Sequence, residues 1–158
     1  MNYNPACDII FGPAYKGIPI VTAMVVALYQ HYNFNKSYCF NRKEIKTYGE
    51  KGKLIGSPLT GNVVIVDDVI TSGTAIQESA KIIKQHNAKL SAVILSLDRQ
   101  EKGKTNLSAV QEIKKKLKCH VFSIITLNDL IKYLSENSNM SKYLTMMKDH
   151  INEYGFID

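Results

Sequence analysis

Cysteine is scarce and scattered. Cys7, Cys39 and Cys119 are the three in the chain; they are far apart, none has a partner at CxxC spacing, and no set of cysteines and histidines has zinc-site spacing, which excludes a disulfide framework and a structural zinc site and predicts reduced thiols in a cytoplasmic protein. Long apolar runs are missing too. The longest, Ile18 to Tyr29, is too short to cross a bilayer and contains Thr22, and no charged-then-apolar leader opens the sequence, so no membrane partner is expected. Neither GxxxxGK[ST] nor GxGxxG occurs anywhere, which removes the main support for a P-loop NTPase or a dinucleotide-binding dehydrogenase. There is no internal repeat and no low-complexity tract.

What is present is an ordinary globular composition, 45% hydrophobic and 22% charged over 158 residues, which suits a single domain over 1–158. The formal net charge of +6 fits nucleic acid, an acidic membrane or a polyanionic small ligand equally well until the charges are placed. The densest basic run, Lys114, Lys115, Lys116 and Lys118, falls at the end of an amphipathic helical segment, where cations offset the helix dipole. A solvated face is therefore favoured over a nucleic-acid site. His31, His86, His120 and His150 have no matching acid or cysteine at motif spacing and are assigned no catalytic role.

Apolar runs alternate with helix-period segments, the pattern of an α/β fold with a parallel central sheet flanked by helices. Strands are expected at Asp8 to Phe11, Ser37 to Phe40, Val63 to Val66, Ser91 to Leu97 and His120 to Ile125. Helices are expected at Ile18 to Tyr32, Ala75 to Gln85, Ser108 to Leu117, Leu127 to Ser135 and Ser141 to Glu153. Thr126 and Ser141 serve as N-caps for the last two, which are expected to layer onto the sheet, with Tyr143, Met146, Met147 and Ile151 as packing residues. The polar stretch from Asn41 to Pro58 has no apolar period and reads as a long loop.

The most informative segment is Val63-Val64-Ile65-Val66-Asp67-Asp68-Val69-Ile70-Thr71-Ser72-Gly73-Thr74-Ala75. A buried strand delivers its end to the ligand edge of a parallel sheet, and the helix that follows presents backbone N–H groups there, a site for one phosphate at Thr71 to Ala75. Gly73 allows close backbone approach. Thr71, Ser72 and Thr74 add hydroxyl donors, while Asp67 and Asp68 aim carboxylates at a sugar attached to that phosphate.

This segment resembles the signature of type I phosphoribosyltransferases for phosphoribosyl pyrophosphate (PRPP). Phe11-Gly12-Pro13-Ala14-Tyr15-Lys16-Gly17-Ile18-Pro19, Tyr38-Cys39-Phe40-Asn41-Arg42-Lys43-Glu44 and Ser96-Leu97-Asp98-Arg99-Gln100-Glu101 resemble, in the same order, orotate phosphoribosyltransferases. The resemblance covers about Asp8 to Gly103 and implies a Rossmann-like fold and transfer of a phosphoribosyl group from PRPP to orotate. It implies pyrophosphate contacts from Tyr15 and Lys16, with a cis peptide joining Ala14 to Tyr15. It further implies PRPP contacts along Asp67, Asp68, Val69, Ile70, Thr71, Ser72, Gly73, Thr74 and Ala75, and orotate contacts from Thr71 and Arg99. The polar stretch becomes a mobile catalytic loop in which Arg42, Lys43 and Lys46 close over pyrophosphate, partly in trans across a homodimer. Tyr48 stands there in place of the family's usual histidine.

Magnesium is the implied cofactor, bound mainly through PRPP with at most water-mediated contact to Asp67 and Asp68 and no direct protein cage. The family's N-terminal segment, which supplies a lysine and aromatic residues around orotate, has no counterpart before Asp8, so an incomplete domain is expected. Two rival readings keep the PRPP segment: a purine phosphoribosyltransferase, and a PRPP-sensing regulator that reports to nucleic acid. The Asn41–Glu44 and Ser96–Glu101 segments weigh against the first. The loop cations, and the absence of a helix-turn-helix pattern, weigh against the second.

Overall fold

The computed structural model describes residues 5–46 and 52–156. In chain order it runs β1 (Ile9–Gly12), α1 (Gly17–Tyr32), β2 (Ser37–Lys46), β3 (Gly52–Gly56), β4 (Asn62–Val69), α2 (Thr74–Gln85), β5 (Lys89–Asp98), α3 (Ala109–Leu117), β6 (His120–Thr126), α4 (Leu127–Glu136), a 3-10 turn (Ser138–Met140) and α5 (Ser141–Tyr154). The strands form one six-stranded sheet in the order β3-β2-β1-β4-β5-β6. All neighbours are parallel except β2 and β3.

The inner strands read as unbroken apolar runs because both their faces are covered. Side chains alternate across the pleat. Ile9, Phe11, Val63 and Ile65 therefore join Ile76, Ile83 and Ile113 of α2 and α3 in one core. Ile10, Val64 and Val66 join Val21 of α1 in the other. Each such side chain buried contributes about 1.5–3 kcal/mol. The helix after β1 thus lies on one face and the helix after β4 on the other. The chain steps outward in opposite directions from β1 and β4, and the gap between those two strands is the switch point of the sheet, where ligands of such folds sit. Gly12 is needed at this edge because a Cβ there would come within 2.2 Å of the Gly17 carbonyl oxygen.

The stretch from Asn41 is not a plain loop. β2 runs on to Lys46 and pairs antiparallel with β3, with an irregularity between Asn41 and Lys46. The basic residues therefore begin on a strand of a hairpin. Thr126 caps α4 as expected and forms a capping box with Asp129, but Ser141 does not cap α5. The 3-10 turn precedes it, and Met140 occupies the cap position with no side-chain bond. The final helices do not form an even layer either: α4 packs beside β6 and α5 against α4, and Tyr143 and Met146 are exposed rather than packed. No helix among the described residues is long and apolar enough to cross a membrane.

Candidate active site

At the switch point a cleft of about 380 Å³ opens between the segment after β1 and the segment after β4. Pro13 and Ala14 line one side, Asp67 and Val69 to Ala75 the other, and Asn41 and Lys43 reach in from β2. The Ala14–Tyr15 peptide is cis, and the Ala14 N–H donates to Asn41 Oδ1 at 2.9 Å. Asn41 thereby ties the root of the hairpin to the segment after β1. It lies within a family-like motif, yet nothing in the sequence singled it out, because its partner is 27 residues away.

The two adjacent acids do not point the same way. The pleat that sends Val63 and Ile65 to one core and Val64 and Val66 to the other also sends Asp67 into the cleft and Asp68 toward the start of α1. Of the two, Asp67 lines the cleft, while Asp68 is engaged by Lys16. Asp68 Oδ2 accepts from Lys16 Nζ at 2.6 Å. Burial alone would raise the Asp68 carboxyl, but the Lys16 hydrogen bond, the Val69 amide and the Lys16 charge together hold it below the usual range. The same hydrogen bond, followed by the charge of Asp68, raises Lys16. Asp67 is 8% exposed; burial pushes its carboxyl up to about 6, although Oδ1 accepts the Asp68 N–H at 3.0 Å.

Gly73 starts α2 from a left-handed conformation, φ +67°, and no side chain caps the helix. Its Cα packs against α3 so closely that a Cβ would lie 2.5 Å from Ile113 Cδ1. Ser72 and Thr74 share a hydroxyl–hydroxyl hydrogen bond of 2.9 Å. The turn therefore offers backbone donors and hydroxyls at the end of β4, the arrangement that holds a phosphate.

Lys43 Nζ lies 4.8 Å over the Tyr15 ring. Arg42 is partly buried on β2, and the backbone of Lys46 pairs with Gly52; Tyr48 lies outside the described residues. Arg99 does not line the cleft. It stands just past β5, where Nη2 meets Glu101 Oε1 at 2.5 Å. Among the described residues no group of three or more His, Cys, Asp or Glu could hold a metal. The hard oxygen donors at hand, Asp67 and Asp68, suit a hydrated magnesium ion carried by a phosphorylated substrate.

A sheet that turns outward at β1 and β4, with a phosphate turn and two acids at that point, is the framework of a type I phosphoribosyltransferase, and the family model for the phosphoribosyl transferase domain matches residues 1–125. Orotate phosphoribosyltransferase of Proteus mirabilis is 62% identical over 154 residues, covering 98% of this chain and 72% of that protein. That of Photorhabdus laumondii is 59% identical over 149 residues, covering 94% and 70%. The crystal structure of the Francisella tularensis enzyme superposes with a TM-score of 0.78 at 37% identity, covering 98% of this chain and 72% of that one. This chain belongs to the orotate phosphoribosyltransferases. It transfers the phosphoribosyl group of PRPP to orotate in pyrimidine biosynthesis, which decides against the purine and regulator readings.

Proposed function

We propose that PRPP lies across the switch point, with its 5-phosphate on Thr71, Ser72, Gly73, Thr74 and Ala75 and its ribose beside Asp67 and Asp68. The carrying observation is the left-handed Gly73 turn that opens α2 at the end of β4. Val69 and Ile70 complete the cleft wall. The pyrophosphate end meets Tyr15, Lys16, Arg42, Lys43 and Lys46, with Tyr48 contributing a hydroxyl. Orotate is held by Thr71 and Arg99, whose guanidinium offers a planar fork to a carboxylate or carbonyl pair.

The ring nitrogen of orotate, its proton passing to water, attacks the anomeric carbon as the bond to pyrophosphate breaks. Orotidine 5′-monophosphate forms with inversion, and both bonding electrons leave with pyrophosphate. A loose, oxocarbenium-like transition state needs alignment and charge control more than a strong base. Lys16 and the hairpin cations neutralise the leaving group in a closing, water-poor cleft. Because the Lys16–Asp68 pair is exposed on the lysine side, exchanging it for substrate oxygens costs little. Asp67 and Asp68 would hold a magnesium ion through water, and the ion would supply further charge neutralisation there. The hairpin acts in trans within a homodimer, and the chain works as one cytoplasmic domain.

The test is the PRPP-dependent loss of orotate absorbance in magnesium buffer. Asp68→Asn and Lys43→Gln are each expected to lower kcat/KM for PRPP by roughly 100-fold. Unchanged kinetics in both would remove these residues from the PRPP site.

A further inference from the structure

The segment carrying Arg99 is held by α5 and the residues that follow it. Glu101 Oε1 meets Arg99 Nη2 at 2.5 Å and His150 Nε2 of α5 at 2.9 Å. Backbone bonds clamp the same stretch. Lys102 N–H donates to the Tyr154 carbonyl at 2.9 Å, Phe156 N–H donates to the Gln100 carbonyl at 2.8 Å, and Glu101 bridges Gly155. Gln100 sits in the left-handed region at φ +48°. Its N–H donates to Asp98 Oδ1, and its Oε1 accepts the Asn128 N–H, each at 2.9 Å. The His150 ring lies 5.0 Å from the Tyr154 ring, which fixes its direction.

An arginine about one-third exposed, like Arg99 at 36%, samples many rotamers unless something holds its fork, and losing that freedom on binding weakens a ligand. Glu101 is the less exposed member of the pair, at 18%, and supplies the hold. One of its oxygens serves both partners, so the hydrogen bond from His150 also draws off part of the negative charge that would otherwise oppose an incoming carboxylate. We propose that Glu101, steadied by His150, is a positioning residue for Arg99 and sets the affinity for orotate but not for PRPP. The proposal rests on the reading of Arg99 as an orotate contact.

The test measures KM for orotate and for PRPP, with kcat and thermal midpoints, in Arg99→Ala, Glu101→Ala, Glu101→Gln, His150→Phe, His150→Gln and the Arg99→Ala/Glu101→Ala pair. Glu101→Ala is expected to raise the orotate KM about five- to tenfold while the PRPP KM stays within about twofold. Glu101→Gln keeps volume and an acceptor oxygen, and gives an intermediate rise. His150→Phe keeps the ring packing but loses the donor and raises the orotate KM; His150→Gln, which can still donate, restores it. In the Arg99→Ala background Glu101→Ala adds nothing. If the Glu101 variants lower the thermal midpoint and leave the orotate KM unchanged, or if their effect multiplies undiminished onto Arg99→Ala, the positioning role is wrong. An unchanged orotate KM in Arg99→Ala would instead overturn the reading of Arg99 beneath it.

Discussion

Asp67 is the place where stability and function should pull apart most measurably. Its carboxyl is 8% exposed and titrates near 6 in the folded chain, against 3.8 for an ordinary aspartate. A pKa raised by folding means that the native state holds the proton more tightly than the unfolded chain does. The chain therefore loses stability as pH rises from about 4 through about 6, and carries the full penalty above that. The difference corresponds to roughly 3 kcal/mol at pH 8 and about half of that at pH 5. Asp67→Asn keeps the shape and an oxygen for the Asp68 N–H but removes the buried charge. The variant should unfold about 6–12 °C higher than the wild type at pH 8, with a smaller gain at pH 5, while its kcat/KM for PRPP falls. Thermal unfolding of both proteins, without substrate, across pH 5 to 8 is the assay. A variant less stable than the wild type at pH 8, or a gain that does not shrink toward pH 5, would refute the reasoning.

Gly73→Ala should cost about 2–4 kcal/mol, from the left-handed backbone and the clash with Ile113 together, and raise the PRPP KM. Urea denaturation checks the first and kinetics the second, and adding Ile113→Val should recover part of the loss if Ile113 is the clashing partner. Cys39 is fully buried, and burial pushes its thiol up to about 11, so it should resist a maleimide at pH 8 in the native chain and react once urea unfolds it; rapid native labelling of Cys39 would contradict its placement.

The inner strands and the helices between them were legible because a strand covered on both faces must be written as a continuous apolar run, and their ends fell within a few residues of the expected ones except at β2, which runs six residues past Phe40 to Lys46. The phosphate turn was legible because all its chemistry is local to Val63–Ala75. β3 was not, since Gly52–Gly56 is short and Arg42, Lys43 and Glu44 on the strand it pairs with write no apolar period. The divergence of Asp67 and Asp68 was readable in principle: extending the strand two residues past Val66 puts neighbouring acids on opposite faces. Long-range pairings left no mark. His150 looked partnerless because Glu101 is 49 residues away in the chain, and only folding brings them together.

The strand order has a kinetic consequence. β1 sits between β2 and β4, so the cleft exists only once Asn62–Val69 has found Ile9–Gly12 across an intervening helix and hairpin. Neither half of the chain holds a partial site that could turn over slowly while the other half assembles. Binding of PRPP in a refolding experiment therefore cannot return before β4 has joined β1. Because that joining links residues far apart in sequence, it belongs to the slow, topology-limited part of folding rather than to early helix formation.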